Sequence, residues 1–386
     1  MIFQQQLRIP GPTPLPERVV RAMSQPMIDH RGPEFGALLR DVVAGAKRVF
    51  ETSNDLLVLT SSGSGGLESA LANLISPGDE VVAAGCGMFG DRLAGIAEAF
   101  GADLVRLISE WGQPTDPDDL AKVLSDNPGA KVVLLTHNET STCVGNDIAA
   151  LARVVKDAGR VSVVDAVSSV SSVRIAVDEN QIDVCVSASQ KGWMAPPGLA
   201  FVTISPRAWE LNKAAKAPRY YFDWHRHLAQ LEVSSTPWTP AIGVAYALQE
   251  GIRMLEEEGL ANVYQRHADI AHATQAALQA IGFDLFAAEG YRSNTVTGAL
   301  PMAGLDVGAF RKVLREKYGV VIGNGQGKMQ GKMFRVGHLG AVTAGDLIQV
   351  LWSVERTLEE LDVAPADGRG IHAANQVLFA TGGDSR

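Results

Sequence analysis

The sequence predicts an α/β protein whose main unit contains a seven-stranded, mostly parallel sheet. From residue 56 to residue 204, short apolar runs alternate with segments in which apolar residues recur at helical spacing. Several of these runs are apolar throughout, which is typical of strands buried on both faces of a sheet. Strands that alternate with helices favour a parallel sheet covered by helices on both sides.

Each predicted strand is an apolar run, and each predicted helix lies between two runs and has polar or glycine residues at its ends. The predicted strands are Leu56–Thr60, Glu80–Ala84, Asp103–Leu107, Lys131–Thr136, Val161–Val164, Asp183–Ser187 and Leu199–Ile204. The clearest helices between them are Gly66–Ile75, Gly90–Phe100 and Asp147–Asp157.

The pattern changes after residue 239 and predicts a second, smaller α/β domain. Two long helices over 239–281 join near Glu258-Gly259. The elements predicted after them are strands near Asn294–Ala299, Val320–Ile322 and Lys332–Val336 and helices at Val307–Lys317 and Ala344–Leu358. The expected organisation is an N-terminal arm (1–20), a large domain (21–257), a small C-terminal domain (258–363) and a tail (364–386). The tail has little periodicity, so we expect loose packing or a conformation that depends on a partner.

Composition and charge restrict the classes of function. The 386 residues carry 34 basic and 43 acidic side chains, a net charge of −9, which argues against a general nucleic-acid surface. The three cysteines form no CxxC pair, and the histidine spacings match no standard ligand set, so we expect reduced thiols and no metal site. The first residues lack the features of a secretory signal, and no apolar run approaches the ~20 residues that span a bilayer. These observations predict a cytoplasmic protein without a membrane segment.

A run of small residues follows the first predicted strand. Ser61-Ser62-Gly63-Ser64-Gly65-Gly66 precedes a helix that is expected to begin near Leu67-Glu68. Backbone N–H groups between a strand and a helix N-terminus bind anions, and a phosphate is the usual occupant. The alternative is a flexible Gly/Ser turn. The run lacks the third glycine of a dinucleotide fingerprint and the Gly-Lys-Ser/Thr of a nucleotide-binding P-loop.

Two charged residues lie just beyond predicted buried strands. Asp165 follows Val161–Val164, and Lys191 lies shortly after Asp183–Ser187. Taken singly, the first is most simply a turn or cap aspartate and the second a surface lysine. However, a carboxylate buried at a strand end is costly unless it meets a cation, and ligands of such sheets bind at the carboxyl ends of the strands. Together with a phosphate loop, the pair indicates pyridoxal 5′-phosphate, which needs a lysine for its aldehyde and a carboxylate for its ring nitrogen.

On these residues the sequence resembles the class V aminotransferases of the type I pyridoxal-phosphate-dependent transferase fold, within the alanine–glyoxylate and serine–glyoxylate (serine–pyruvate) group. The resemblance runs from Pro10 to about Leu361 and is most specific from Asp165 to Lys191. The other matching blocks are Gly11-Pro12-Thr13-Pro14, the Ser61–Gly66 run, Thr136-His137-Asn138-Glu139-Thr140-Ser141-Thr142 and Phe334-Arg335-Val336-Gly337-His338-Leu339-Gly340.

The resemblance implies a cofactor-binding role for eleven positions within one chain and its neighbour. Lys191 matches the lysine that bonds to the cofactor aldehyde, and Asp165 the partner of the ring nitrogen. The remaining matches are Ser62, Gly63 and Ser64 in the phosphate loop, Gln190 beside the phosphate, Thr140 at the ring hydroxyl, Val167 and Phe89 on the two ring faces, and Thr236 and Thr239 at the phosphate of a neighbouring subunit. Two of these depart from the family pattern: Phe89 stands where tryptophan is often found, and Thr236 where relatives can carry tyrosine.

The resemblance also implies the reaction and its substrate contacts. Arg335 matches the clamp on the substrate carboxylate, where a planar guanidinium meets two oxygens, and Gly11 lies beside the substrate. The implied protein is a homodimeric aminotransferase with ping-pong kinetics that uses alanine or serine as donor and glyoxylate or pyruvate as acceptor. No second arginine is evident in the sequence for a donor's side-chain carboxylate, which favours a small neutral donor.

Two alternatives remain open from the sequence. One is another class V reaction, such as that of an aspartate-type aminotransferase or a cysteine desulfurase. The desulfurase pattern has a histidine directly before the lysine, where this chain has Gln190. The other alternative is a cofactor-binding subunit without catalysis in a larger complex.

Overall fold

A computed structural model describes residues 5–379, whose strands and helices are numbered here in chain order. The strands are β1 (Gln6–Arg8), β2 (Asp55–Ser61), β3 (Glu80–Gly85), β4 (Asp103–Ile108), β5 (Val132–Thr136), β6 (Asn138–Glu139), β7 (Val144–Gly145), β8 (Val161–Asp165), β9 (Val184–Ala188), β10 (Gly198–Ile204), β11 (Val296–Ala299), β12 (Val320–Asn324) and β13 (Phe334–Gly337). The helices are α1 (Glu17–Met23), α2 (Pro33–Phe50), α3 (Gly63–Leu74), α4 (Met88–Ala99), α5 (Pro117–Asp126), α6 (Ile148–Asp157), α7 (Pro206–Asn212), α8 (Trp224–Glu232), α9 (Ile242–Glu258), α10 (Leu260–Ile281), α11 (Val307–Lys317), α12 (Ala344–Glu360) and α13 (Arg369–Leu378), with one 3₁₀ turn at Gly327–Met329.

The predicted seven-stranded sheet is confirmed. Its strand order is β2-β10-β9-β8-β5-β3-β4, and only β10 runs antiparallel to its neighbours. The central strands β5, β8 and β9 are buried at every residue, which explains why their sequences are mostly apolar and do not alternate with exposed polar residues. Because β8 and β9 are adjacent and parallel, the residues that follow them emerge at the same edge of the sheet.

A separate four-stranded sheet forms from the C-terminal strands and the start of the chain, in the order β1-β12-β13-β11. The strands β11, β12 and β13 are those predicted from the sequence. β1 is not predicted, since three residues carry no readable alternation, yet it pairs in parallel with β12 from Gln6 opposite Val320 to Arg8 opposite Ile322. An ion pair of 2.8 Å between the buried Arg8 and the half-buried Asp346 of α12 fixes this arm.

The structure departs from the sequence prediction at the C-terminal tail. We expected loose packing, but α13 packs on the rest of the chain with Gly370 and Ala374 buried. A Cβ on Gly370 would lie 2.6 Å from Ile281, so this glycine allows the close approach. The carboxylate of Glu355 accepts the N–H groups of Gly368 and Gly370, each at 2.7 Å. Residues 380–386 of the predicted tail lie outside the described residues.

Buried histidines predict that the protein loses stability in mild acid. Burial lowers the pKa of His137 to about 4 and those of His267 and His338 to about 3, from an ordinary value of 6.5. At these three histidines the unfolded chain therefore binds more protons than the folded chain below about pH 6.5; the raised pKa of Asp165 opposes this with one group, so the free energy of unfolding is expected to fall as the pH drops through that value. Urea unfolding between about pH 7.5 and about pH 5 measures the slope.

His267 offers a direct check on this stability prediction. Its Nε2 accepts the N–H of Gly340 at 3.0 Å, and its Nδ1 lies 2.7 Å from the carbonyl oxygen of Val263. His267→Gln keeps an acceptor but removes the titration, so the pH dependence should flatten. The exposed His372 serves as control, and His372→Gln should leave the slope unchanged. A free energy of unfolding that is constant across this pH range would contradict the prediction.

Candidate active site

Lys191 lies just beyond the end of β9, with its side chain largely buried against the N-terminal arm. Its Nζ donates a hydrogen bond to the carbonyl oxygen of Pro10. Burial lowers the pKa of Lys191 to about 8; the charge of Asp165 opposes this shift, and those of Arg335 and Arg92 add to it. At pH 7 about a tenth of the amine is therefore unprotonated and nucleophilic, far more than for an ordinary lysine.

The arm that covers Lys191 depends on Gly11. This residue has a φ of +108°, and a Cβ built on it would lie 2.6 to 2.9 Å from the Lys191 side chain. Thr13 then fixes the arm to the lysine loop, because its N–H donates to the carbonyl of Gln190 and its hydroxyl to that of Lys191, both at 3.1 Å. The arm is therefore part of the wall around the amine.

Asp165 is the last residue of β8, beside the strand that leads to Lys191. Its Oδ1 accepts the N–H of Val167 at 3.0 Å. Burial raises the pKa of Asp165 to about 6, while that hydrogen bond and the charge of Lys191 lower it and nearby Glu139 raises it. The carboxylate is thus mostly ionised at neutral pH and buried within the field of a lysine. The structure brings together the two residues that the sequence singled out.

The Gly/Ser run is the first turn of a helix, and in this respect the sequence prediction was wrong. Helix α3 begins at Gly63, and Ser62 is its N-cap, with its hydroxyl accepting the N–H of Gly65 at 3.3 Å. The glycines allow the helix to lie against the sheet, since a Cβ on Gly63 would meet Val167 at 2.8 Å and one on Gly66 would meet Val186 at 2.8 Å. The backbone N–H groups expected to bind an anion therefore belong to the first turn of α3 and not to a loop before it.

Gln190 and Ser64 complete this end of the site. The Oε1 atom of Gln190 is buried and has no hydrogen-bond partner within the described residues. The hydroxyl of Ser64 lies 3.4 Å from a guanidinium nitrogen of Arg92. A buried amide oxygen without a partner leaves Gln190 free to accept a hydrogen bond from a bound donor or, with the amide turned over, to offer its NH₂ group to a bound anion.

Phe89 lies in the first turn of α4, and Arg92 lies one turn further on. The guanidinium carbon of Arg92 is 4.8 Å from the centre of the Phe89 ring, within the range of a cation–π contact. This arginine is missed by the sequence argument, which found no second arginine for the site. The sequence does contain one signal for it: Arg92 lies three positions after Phe89, so the two side chains share one face of the helix.

Arg335 lies in β13 of the small sheet and is 6% exposed. It donates to two carbonyl oxygens, that of Asn324 at 2.8 Å and that of Thr140 at 2.7 Å. No carboxylate of residues 5–379 forms an ion pair with it, and burial lowers its pKa. A buried guanidinium whose local partners are neutral is suited to bind an incoming carboxylate.

Within one chain, Thr236 and Thr239 form no hydrogen bond with the other candidate cofactor-binding residues. They lie in the segment between α8 and α9, where the hydroxyl of Thr236 donates to the carbonyl of Trp238 at 2.7 Å and Thr239 is exposed. The prediction for these two threonines requires a second copy of the chain.

Glu139 carries a buried carboxylate. It belongs to the block Thr136–Thr142 that matches the family, but the sequence alone indicates no role for it. It is completely buried in β6 and accepts backbone N–H groups from the start of α4. No periodic signal could identify it, because its partners are distant in sequence. The described part of the chain contains no group of three or more potential metal ligands, and none of its helices is long and apolar enough to cross a membrane.

Comparisons with known proteins identify the family of the chain. The family described as aminotransferase class V matches residues 7–345. The soluble hydrogenase small subunit of a Synechococcus species is 39% identical over 96% of this chain and 98% of its own length. The L-aspartate–glyoxylate aminotransferase of Paracoccus denitrificans is 37% identical over 97% of this chain and 96% of its own length.

A solved structure shows the same fold. The pyridoxamine–pyruvate aminotransferase of Mesorhizobium loti superposes with a TM-score of 0.93 at 29% identity, covering 98% of both chains. This likeness confirms the expected type I fold of the pyridoxal-phosphate-dependent transferases. Since the family match extends through both sheets and the relatives share almost the full length, the chain belongs to the class V aminotransferases.

Proposed function

We propose that this aminotransferase uses pyridoxal 5′-phosphate to move an amino group from alanine or serine to glyoxylate or pyruvate in two half-reactions. The observation that carries the proposal is the buried pair at the sheet edge, a lysine with a pKa of about 8 beside an ionised aspartate. Such a pair is costly in a protein interior unless it serves a ligand.

The residues present fit the cofactor at each of its polar groups. The first turn of α3, with Ser62, Gly63 and Ser64, would hold the phosphate, and Gln190, whose Oε1 is buried without a hydrogen-bond partner among the described residues, would turn its amide to donate NH₂ to it. Asp165 would hold the ring nitrogen, Thr140 the ring hydroxyl, and Val167 and Phe89 the ring faces. When bound, the cofactor supplies an aldehyde that bonds to amino groups and a ring that accepts electrons from the substrate Cα.

The chain's own residues perform the remaining tasks. Lys191 Nζ, in the unprotonated fraction that burial makes accessible near neutral pH, would take the proton from the substrate Cα and hold it within the closed wall formed by the arm. Asp165 would keep a proton on the ring nitrogen by remaining ionised. Arg335 would bind the substrate carboxylate, and Gly11 would leave room beside the lysine.

Aspartate is the second candidate donor, and Arg92 is the observation that favours it. This exposed arginine lies at the edge of the site against Phe89, where its cation could receive a second carboxylate. The relative from Paracoccus denitrificans bears an aspartate–glyoxylate activity in its name. A panel of alanine, serine and aspartate against glyoxylate, pyruvate and 2-oxoglutarate separates these donors.

The same panel tests the proposal that the protein is catalytic. If absorbance of the bound cofactor does not change with any amino donor, the chain is a cofactor-binding subunit without catalysis, and the proposed function fails. We also propose a homodimer in which Thr236 and Thr239 reach the phosphate of the second copy, a cofactor-binding domain of 21–257 and a small domain of 258–363.

Arg335→Ala is expected to lower kcat/KM for both the donor and the acceptor. Both substrates carry a carboxylate, and losing a bidentate arginine contact in a desolvated site costs ~2–4 kcal/mol. Arg335→Lys keeps the positive charge but lacks the planar guanidinium. We therefore expect it to lower kcat/KM as well, but by less than Arg335→Ala does. Steady-state kinetics with each substrate varied in turn measure the effect.

The spectrum of the bound cofactor provides the control for the Arg335 variants. It should stay normal, because Arg335 is expected to act on the substrate and not on the Lys191 bond. Unchanged specificity constants in Arg335→Ala would show that another group holds the carboxylate.

A further inference from the structure

Glu139 is completely buried, and four hydrogen bonds hold its carboxylate. Oε2 accepts the N–H groups of Phe89 at 2.9 Å and Gly90 at 3.0 Å. Oε1 accepts the N–H of Ser141 at 3.0 Å and its hydroxyl at 2.6 Å. Burial raises the pKa of Glu139, and these four bonds lower it. No basic side chain among the described residues pairs with it within 4.0 Å, so N–H groups and one hydroxyl replace a cation.

One half of this arrangement fixes the start of α4. Phe89 and Gly90 are in the first turn of that helix, where N–H groups have no partner within the helix and the dipole favours a negative charge. The helix has no side-chain cap of its own, because its N-cap is Gly87. A Cβ on Gly87 would lie 2.6 Å from the Glu139 side chain, so glycine is needed for the approach. Glu139 therefore acts as the missing cap from another strand.

The other half fixes the segment that follows β6. Ser141 binds Glu139 through its N–H and hydroxyl, and the same hydroxyl accepts the N–H of Met88 at 3.0 Å. Thr140, between the two, is thereby held with its carbonyl oxygen 2.7 Å from the guanidinium of Arg335. One buried carboxylate thus connects the helix that carries Phe89 with the carbonyl that orients Arg335.

We propose that Glu139 is a positioning residue of the active site, which sets Phe89 against the cofactor ring and Arg335 towards the substrate carboxylate. The inference rests on the proposed function, since it assigns Glu139 a task only if Phe89 and Arg335 have theirs. It differs from a merely structural role, in which the carboxylate would satisfy buried N–H groups and affect only the free energy of unfolding.

Glu139→Gln is the informative substitution because it keeps the shape. Both carboxylate oxygens accept backbone N–H groups, whereas glutamine has one acceptor oxygen and one NH₂ donor. Either orientation of the amide places NH₂ against an N–H group, at the α4 end or at Ser141. The matched control is Asp183→Asn at the start of β9, a buried carboxylate that accepts the N–H of Ser162 at 3.1 Å and the hydroxyl of Ser205 at 2.8 Å.

The experiment titrates each full-length apoprotein with pyridoxal 5′-phosphate and records its dissociation constant and the visible circular dichroism of the bound cofactor. The circular dichroism reports how rigidly the ring is held. Glu139→Gln should bind about tenfold to a hundredfold more weakly, as expected for losing charge-assisted hydrogen bonds, and should lose most of the visible signal. Asp183→Asn should match the wild type in both, even where its unfolding midpoint is lower.

Wild-type affinity and dichroism in Glu139→Gln would overturn the inference, as would an equal loss in Asp183→Asn. If Glu139→Gln does not fold, Ser141→Ala decides, because it keeps the carboxylate and removes the hydroxyl bonds to Glu139 and Met88. A weaker, less dichroic complex in Ser141→Ala supports the inference, and an unchanged one overturns it. Failure of the wild type to bind the cofactor would instead count against the proposed function itself.

Discussion

Lys191→Ala is expected to abolish transamination and to leave the fold intact. The side chain forms one hydrogen bond, to the carbonyl of Pro10, so little folding energy depends on it. Its amine is the proposed nucleophile and proton carrier, and losing both tasks should lower kcat at least about 10⁴-fold. Turnover assays and far-ultraviolet circular dichroism measure the two halves of this expectation.

Borohydride reduction of the wild type provides the matching positive result. It should fix the cofactor on the peptide that contains Ser189-Gln190-Lys191, and the rate of attachment should rise with pH through about 8 as the amine loses its proton. Label on a different lysine would refute the assignment of Lys191.

Asp165→Asn has the second largest expected effect. The amide has nearly the same shape but carries no charge, so the ring nitrogen would lose the partner that keeps it protonated. We expect the cofactor to bind more weakly and proton removal from the substrate Cα to slow by orders of magnitude. Exchange of the Cα proton of alanine for solvent deuterium measures that step without a full turnover.

The control for Asp165→Asn is the same exchange measured in Asp183→Asn. Both aspartates are buried beside the central strands, but Asp183 precedes β9, at the sheet edge opposite to Lys191. Its replacement should leave exchange near the wild-type rate. Near-wild-type exchange in Asp165→Asn would mean that a different group, or none, supports the ring nitrogen.

The parts of the fold that the sequence predicts are those with local physical causes. The buried strands β5, β8 and β9 are mostly apolar, and their boundaries follow approximately from where polar residues resume. Asp165 and Lys191 are recognisable for the same reason, since Asp165 ends one such run and Lys191 comes three residues after the end of β9. The pairing of β8 with β9 then brings the two charges together.

The missed parts depend on contacts between distant residues. The glycines of the Ser61–Gly66 run suggested a loop, but they belong to a helix whose backbone approaches Val167 and Val186 too closely for a Cβ. The role of Glu139 depends on helix α4, fifty positions away in sequence. Likewise, Arg92 reaches Ser64 from another helix. Neither composition nor hydrophobic periodicity contains information about contacts between residues that are distant in the sequence.

The pairing of the N-terminal arm also sets an order of assembly during synthesis. Gln6 lies opposite Val320 in the small sheet, and its side chain contacts Asp346, 340 positions later. The arm is made before β12 and α12, so β1 cannot pair until both have been made. We therefore expect the seven-stranded sheet to form while Pro10 and Gly11 are still away from Lys191. We expect the enclosure of the amine to be completed late in folding, and a chain truncated before β12 to hold the arm over Lys191 only through the contacts of Thr13.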